Sequence, residues 1–363
     1  MQYNVIGLMS GSSLDGLDIA FVHFEETAGK WQFEIQESAC IPYPARWRES
    51  LSTFNMNSAR EYLLLHSAYG HYLGNCVNDF LEERGLAYRV QLIASHGHTA
   101  FHMPDQHMTA QLGDGAAIAA VTGIRTITDL RAVDIALGGQ GAPIVPIGEK
   151  LLFPEYDLFL NIGGIANMSA NAEEMLGFDV CPANRILNLL SSGTEKGFDE
   201  NGVIARAGRI DNDLLRQLNA FDYYQLPYPK SLSNEFGMNE IYPVVESARL
   251  ATKDALRTYV QHIVDQVTKA VFHVKNRKVG KENLRLLITG GGAHNLFLVE
   301  KLMDAVSPGG IECIIPDKNL IDYKEALVVA LMGALRWRED INVLKSVTGA
   351  SKDSINGAIW SVP

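Results

Sequence analysis

The sequence has few of the features that mark redox, extracellular and membrane proteins. Its 363 residues include four widely spaced cysteines and no CxxC pair: Cys40, Cys76, Cys181 and Cys313. We therefore expect neither a zinc finger nor a redox dithiol, and this cysteine usage fits a reducing compartment. No basic segment followed by an apolar one opens the chain, which predicts no signal peptide and a cytoplasmic protein. The longest apolar stretch, residues 326–335, is too short to span a bilayer.

Positive charge is also scarce. There are 31 Lys and Arg residues against 42 Asp and Glu, for a net charge of −11, and no basic stripe is visible. A nucleic-acid partner is therefore not expected, because such partners need clustered cations to displace counterions. A small anion such as a nucleotide stays open, since backbone amides and a metal ion can bind it.

The length predicts two domains, and the pattern of elements predicts an α/β fold. We expect strands at residues 5–9, 17–24, 31–40, 91–95, 125–128, 158–162, 166–170, 284–289 and 312–315. We expect helices at residues 59–83, 184–193, 244–275, 295–306 and 324–338. No low-complexity linker marks a boundary. We place it near residue 126, with an N-terminal domain of residues 1–126, residues 340–363 as its candidate completion, and a second domain of residues 127–339.

Three glycine-containing segments carry the chemistry. GLMSGSSLDGLDIAF (7–21) and LFLNIGGIANMSA (158–170) each read as strand, polar turn and strand. Their hydroxyls and amides can grip phosphate oxygens, although ordinary hairpins also need glycine. In LLITGGGAHNLFL (286–298) an apolar strand runs through three glycines towards a helix, which suits close approach of a ligand to the helix N-terminus or a tight turn. None of these is a GxGxxG fingerprint or a P-loop.

Taken together, the segments favour phosphoryl transfer, which depends on positioning and charge neutralisation. Asp15 and Asp18 are the candidates to hold Mg²⁺, mainly through its waters. The arrangement resembles the actin, hexokinase and heat-shock ATPase superfamily.

A narrower resemblance rests on motifs that occur in order along the chain: GLMSGSSLDGLD, SHGHT, TDLRAVDIALGGQGAPIVP, NIGGIANMS, GFDVCPAN, ITGGGAHN and DYKEA. The series is similar to the anhydro-N-acetylmuramic acid kinase family. The resemblance implies two actin-like (ribonuclease H-like) domains flanking a nucleotide cleft, and a homodimer. It also implies that ATP and water open the 1,6-anhydro ring of the sugar and that the 6-oxygen is phosphorylated, in bacterial cell-wall recycling.

The resemblance assigns roles to particular residues. Its nucleotide contacts are Gly11, Ser12, Ser13, Leu14, Asp15, Gly16, Leu17, Asp18, Gly163, Gly164, Gly290, Gly291 and Gly292. Asp179 matches the catalytic aspartate, a general base that takes a proton from the attacking water. The alternative is that Asp179 caps the helix that follows it.

Sugar contacts are expected from His96, Thr99, Arg131, Asp134, Gly139, Gly141 and Glu325. A guanidinium suits the lactyl carboxylate of the sugar, but Arg131 and Asp134 could instead pair to hold their loop. The glycines of GGQGAP allow close backbone approach or a hinge. Glu325 is either a sugar ligand or an acid favoured by the start of the last long helix. The histidines near His96 lack the spacing of a metal site.

The chain departs from the family pattern at three places. His98 stands where glutamine is more common, Val180-Cys181 replaces Thr-Gly, and Asn188 replaces an aspartate. These departures keep open a kinase for another sugar on the same fold. An ATP-switched, chaperone-like binding protein is the other alternative, although the chain shows no separate substrate-binding module.

Overall fold

The computed structural model describes residues 1–11, 13–227, 230–277 and 282–362. The chain divides into two compact units, Met1–Phe153 with Tyr323–Pro363, and Pro154–Asp322. This division differs from the boundary expected near residue 126, because residues 127–153 and 323–339 belong to the first unit. Residues 340–363 are also in the first unit. The physical reason is strand pairing: residues 126–128 still pair within the first sheet, and no linker in the sequence marks where the second sheet begins.

The first unit is built on a mixed sheet. Its strands are β1 (Gln2–Ser10), β2 (Gly16–Thr27), β3 (Lys30–Pro42), β4 (Leu92–Met103), β5 (Met108–Leu112), β6 (Thr126–Thr128) and β12 (Ala358–Trp360). The order is β3-β2-β1-β4-β6-β12, and β5 pairs with β4. Strands β3, β2 and β1 pair antiparallel with one another, whereas β4 is parallel to both β1 and β6.

Helices cover this sheet. They are α1 (Ala45–Ser52), α2 (Ala59–Glu83), α3 (Gly115–Thr122), α4 (Ala132–Ala136), α5 (Pro146–Leu152), α13 (Lys318–Trp337) and α14 (Lys345–Thr348). The predicted bounds of α2 are confirmed, and a capping box between Ser58 and Glu61 explains its start. The unit boundary falls within α13, whose residues 326–332 are fully buried.

The second unit repeats the same sheet plan. Its strands are β7 (Leu158–Ile162), β8 (Ile165–Ala170), β9 (Leu176–Pro182), β10 (Leu284–Thr289) and β11 (Ile311–Ile314). The order is β9-β8-β7-β10-β11, with the first three antiparallel and the last three parallel. In both units the third strand lies beside the second and the second beside the first. Later strands then follow on the other side of the first strand, and those next to it are parallel: β4 and β6 in the first unit, β10 and β11 in the second. This topology confirms the predicted α/β class with two actin-like (ribonuclease H-like) units.

The helices of the second unit are α6 (Asn184–Leu190), α7 (Val203–Arg206), α8 (Asn212–Asn219), α9 (Asn234–Phe236), α10 (Tyr242–Ser247), α11 (Thr252–Arg277) and α12 (Leu296–Val306). Residues 244–275 were expected to form one helix, but Arg249 has a left-handed φ of 49° that separates α10 from α11. Within the described ranges, none of the helices combines the length and hydropathy needed to traverse a lipid bilayer.

Candidate functional site

The loop between β1 and β2 presents polar groups at its surface. Ser13 and Asp15 are exposed, and the Ser13 hydroxyl donates a 2.6 Å hydrogen bond to Asp15 Oδ1. The Gly16 amide donates to the same oxygen at 3.1 Å. Leu14 turns the chain with a left-handed φ of 57°. Ser12, predicted to contact the nucleotide, lies outside the described residues.

Leu17 and Asp18, which follow the loop, differ in burial. Leu17 is buried in the hydrophobic core, so its side chain belongs to the fold. Asp18 is half-buried on β2, opposite Met9 of β1 in the ladder register. The structure describes no group of three His, Cys, Asp or Glu side chains that could enclose a metal ion.

The glycine turn of the second unit is tied to the start of α6. The Gly163 carbonyl accepts from the Asn184 amide at 3.1 Å, and the Gly164 carbonyl accepts from the Ala183 amide at 2.8 Å. The Asn184 side chain also donates to the Ile162 carbonyl at 2.9 Å. The turn thus uses amides at the helix start that could otherwise have faced an anion.

The triple glycine enters a 3₁₀ turn, Gly291–His294, before α12 starts at Leu296. The Asn295 side chain caps α12 by accepting from the Leu298 amide at 3.0 Å. The 3₁₀ turn separates the glycines from α12, so the expected direct passage from glycine to helix N-terminus is interrupted. The Asn295 side chain also occupies an early amide of the helix.

The three glycines also differ from one another. Gly290 has a φ of 81°, and a Cβ on Gly292 would overlap the Ile162 side chain. Gly291 is exposed, and its Cβ would lie 3.6 Å from Asn184 Nδ2. The left-handed backbone favours glycine at position 290, and packing requires it at position 292. The fold leaves room for a side chain at Gly291.

Asp179 is half-buried on β9 and is held by a distant loop. Its Oδ2 accepts from the Leu232 amide at 2.8 Å, and its own amide donates to the Lys230 carbonyl at 2.9 Å. The Tyr223 hydroxyl donates to the Asp179 carbonyl at 2.7 Å. Burial raises the pKa of the Asp179 carboxyl, and the bond from Leu232 partly offsets this.

The alternative role of Asp179 as a helix cap does not hold. The residue before α6 is Ala183, which makes no side-chain cap, and the Asp179 carboxylate bonds to a different segment. Strand β9 and the loop residues that hold Asp179 were missed by the sequence reasoning. Tyr223 and Leu232 are more than forty residues from Asp179 in the chain, so no local sequence pattern indicates that they contact it.

In the first unit, the buried His96 is bonded to the half-buried Arg131. Arg131 Nε donates to His96 Nε2 at 2.8 Å, and Arg131 Nη1 donates to the Gly141 carbonyl at 2.8 Å. His96 Nδ1 donates to the Gly97 carbonyl at 2.9 Å, which leaves Nε2 free to accept. Burial, together with the adjacent Arg131, lowers the pKa of His96 to about 3. The neutral ring fixes the guanidinium without competing for anions.

Asp134 holds the GGQGAP loop. Its Oδ2 accepts from the Gly141 amide at 2.8 Å and its Oδ1 accepts from the Thr348 hydroxyl at 2.7 Å. A Cβ on Gly139 would overlap the same carboxylate. The Gly141 peptide is therefore held at its carbonyl by Arg131 and at its amide by Asp134. The predicted alternative was an Arg131–Asp134 pair that holds the loop; instead, each side chain bonds to the Gly141 backbone.

Glu325 lies within α13 and not at its start. The helix begins at Lys318, where Asp317 Oδ1 accepts from the Leu320 amide at 2.9 Å, so the dipole explanation for Glu325 is wrong. Burial raises the pKa of Glu325, and the nearby Arg131 opposes that shift. Glu325 thus lies within electrostatic reach of Arg131, whose own pKa burial lowers to about 10. Thr99 is half-buried on β4, opposite Gln111 of β5.

The residues that depart from the family pattern have distinct surroundings. His98 is buried and bonds Ser10 Oγ through Nδ1 at 3.0 Å. Asn188 is exposed on α6. Cys181 is fully buried in the second hydrophobic core, and burial raises the pKa of its thiol, as expected for a packed thiol rather than a nucleophile.

Comparisons with known proteins show the family of the chain. Residues 3–362 match the sequence profile of the family described as anhydro-N-acetylmuramic acid kinase. Proteins of that name from Aliivibrio fischeri and Coxiella burnetii are each 34% identical to the chain. The first match covers 98% of both proteins, and the second covers 98% of this chain and 96% of the relative.

Among solved structures, the chain is similar to the activator of the 2-hydroxyisocaproyl-CoA dehydratase from Clostridium difficile with bound ADPNP. The identity is 16%, the TM-score is 0.43, and the match covers 93% of this chain and 96% of that one. The family match spans nearly every residue and includes the loop at residues 11–16, Arg131 and Asp179. The chain therefore belongs to the anhydro-N-acetylmuramic acid kinase family of sugar kinases.

Proposed function

We propose that the protein uses ATP and water to convert 1,6-anhydro-N-acetylmuramic acid into N-acetylmuramic acid 6-phosphate. The observation that carries the proposal is the Asp179 carboxylate. It is half-buried, its pKa is raised by burial, and among the described residues only Oδ2 has a hydrogen-bond donor. A carboxylate with one free oxygen and a raised pKa suits general-base catalysis near neutral pH.

The proposed reaction balances as one hydrolysis and one phosphoryl transfer. Asp179 accepts a proton from water as the water oxygen forms a bond to the anomeric carbon. The bond between that carbon and the bridging 6-oxygen breaks, and the 6-oxygen bonds to the γ-phosphorus of ATP. The bond from that phosphorus to the β–γ bridging oxygen breaks, and ADP leaves. The proton on Asp179 then returns to solvent.

Arg131 is the proposed partner of the lactyl carboxylate. Its Nε and one Nη1 hydrogen are already used by His96 and the Gly141 carbonyl. The remaining hydrogens on Nη1 and Nη2 form the end of the guanidinium fork, which can still bind a carboxylate through two bonds. The fixed orientation of Arg131 lowers the entropic cost of that contact.

The loop at residues 11–16 is the proposed phosphate-binding segment. Magnesium, when bound, neutralises charge on the phosphates, and Asp15 and Asp18 would hold its waters. Among the three glycines at residues 290–292, Gly291 is the best suited to close ligand approach, because the fold itself leaves space for a Cβ there. Magnesium dependence, a homodimer, a cytoplasmic location and a role in cell-wall recycling belong to the same proposal.

Mass spectrometry in oxygen-18 water tests the reaction. The protein is incubated with ATP, Mg²⁺ and the anhydro sugar, beside Asp179→Asn and the exposed control Asp222→Asn. We expect a sugar phosphate with the label on the anomeric oxygen. Asp179→Asn should lower the rate by roughly 10²–10⁴-fold, the usual contribution of a general base. The control should keep its activity.

The other outcomes are equally informative. An unlabelled anomeric oxygen would contradict attack by water. Absence of a sugar phosphate, with ATP left intact, would contradict the proposed substrate and lead to a panel of other sugars. ATP hydrolysis that is rapid without any sugar would instead support an ATP-switched binding protein.

A further inference from the structure

A buried chain of hydrogen bonds lies beneath the loop at residues 11–16. The Tyr43 hydroxyl donates to Ser10 Oγ at 2.8 Å, and the hydroxyls of Tyr43 and Tyr69 are 2.6 Å apart. Ser10 Oγ also lies 3.0 Å from His98 Nδ1. Each of these four residues is at most 5% exposed, although each carries a polar group. Buried polar groups are costly unless they are paired, so such a chain needs an explanation.

The chain runs in one direction. Tyr43 gives its only hydroxyl proton to Ser10, so Tyr69 must donate to Tyr43. Ser10 accepts from Tyr43 and keeps its own proton to donate, and Nδ1 of a neutral His98 ring is the acceptor within reach. Burial lowers the pKa of His98 to about 4, which keeps the ring in the neutral form that this pattern requires.

Tyr43 is bonded to both ends of the loop. Its hydroxyl holds Ser10, the last residue of β1, and its backbone amide donates to the Asp15 carbonyl at 3.2 Å. Within the loop the described bonds are few: Leu14 to the Gly11 carbonyl at 3.4 Å, and Ser13 and Gly16 to Asp15 Oδ1. The geometry of the loop therefore depends on residues outside it.

We propose that Tyr69, Tyr43, Ser10 and His98 are positioning residues of the kinase reaction, which fix the loop at residues 11–16 for the nucleotide. The proposal rests on the proposed function of that loop. The hydrogen-bond chain links three strands, since Ser10 ends β1, Tyr43 follows β3 and His98 lies within β4. The aromatic packing of Tyr43 on Tyr69 and Tyr72 keeps the donor in place.

Tyr43→Phe is the first test, because it removes the hydroxyl and keeps the ring and the backbone amide. It leaves Ser10 without a donor and Tyr69 without an acceptor. We expect KM for ATP to rise about tenfold, the fold-change that matches loss of a buried hydrogen bond. KM for the sugar and kcat should change less than about twofold. Tyr72→Phe, in the same aromatic cluster but outside the chain, is the matched control and should leave all three unchanged.

His98 supplies the rescue experiment. His98→Ala should raise KM for ATP as Tyr43→Phe does. His98→Gln should restore KM to within about twofold, because an amide offers the same acceptor and donor as the neutral imidazole. A merely structural role predicts equal losses for sugar and ATP that follow the melting temperature. Such equal losses, or an unchanged KM for ATP in Tyr43→Phe, would overturn the proposal.

Calorimetric titration with a non-hydrolysable ATP analogue separates this inference from the proposed function. If the wild type binds the analogue but phosphorylates no sugar, the sugar assignment fails, and the dissociation constants of the variants still test the positioning chain. If the wild type does not bind the analogue at all, both proposals fail.

Discussion

The two units share a sheet plan but differ at the first hairpin of each sheet. In the first unit the hairpin carries a loop in which Ser13 and Asp15 are exposed. In the second unit the equivalent turn is Gly163-Gly164, and its carbonyls are occupied by the start of α6. The same strand order thus carries an exposed polar loop in the first unit and, in the second, a turn whose carbonyls are hydrogen-bonded within the fold. The difference shows that topology places the hairpin, whereas the groups around it decide its use.

The acids of the two units differ in the same way. Asp134 of the first unit is fully buried and both its oxygens accept hydrogen bonds from the protein. Asp179 of the second unit is half-buried, and its carboxylate accepts from one backbone amide. An acid whose oxygens are both used holds structure, whereas one with an unused oxygen can accept a proton from a substrate.

After the Asp179 substitution, the largest expected effect separates the proposed sugar binding of the first unit from the proposed catalysis of the second. Arg131→Met should raise KM for the sugar roughly 100-fold, because it removes one partner of a buried charged contact. KM for ATP should stay within about threefold. Steady-state kinetics with each substrate varied in turn provides the measurement, with the exposed Arg89→Met as control. A matched rise in KM for ATP would contradict the assignment of Arg131 to the sugar.

A pair of glycine variants tests which part of the triple glycine serves packing. Gly292→Ala places a methyl group into the Ile162 side chain and should destabilise the protein by about 1–3 kcal/mol, as overpacking does. Gly291→Ala meets no close neighbour and should leave the melting temperature unchanged. If Gly291 serves the nucleotide, its variant should still raise KM for ATP. Normal kinetics in Gly291→Ala would show that this glycine has no ligand role.

A further expected effect concerns acid stability. Burial lowers the pKa of His96 to about 3 and of His98 to about 4 in the first unit, and of His262 to about 3 in the second. Below about pH 6.5 the unfolded chain therefore binds more protons than the folded one, and stability falls as pH falls. Each histidine contributes up to about 1.4 kcal/mol per pH unit. Glu325 acts in the opposite direction, since burial raises its pKa.

Tryptophan fluorescence can follow the first unit alone. All four tryptophans, Trp31, Trp47, Trp337 and Trp360, lie in that unit. Urea titrations between pH 6.5 and 5 should show the midpoint falling with pH. His98→Gln should flatten that dependence, whereas exposed His71→Gln should not. Identical slopes in all three proteins would mean that His98 is not held neutral by the fold.

Local patterns predicted the elements that depend on local physics. The predicted bounds of α2 agree with the structure, in which a local capping box at Ser58 starts the helix. The break between α10 and α11 was missed because it depends on the left-handed backbone at Arg249, which no glycine or proline announces. The start of α13 was placed too late because its first residues are polar, although Asp317 caps them.

By itself, the sequence determined the α/β class, the glycine segments and, through resemblance, the family. These depend on periodicity and on residue types at fixed spacing along the chain. Only the tertiary structure decided that Asp134 holds a loop with help from Thr348, that Gly163 and Gly164 face the start of α6, and that Tyr43 binds both ends of the loop at residues 11–16. The physical reason is that each role is set by a hydrogen-bond partner from another element, and a local pattern carries no information about which distant group will arrive there.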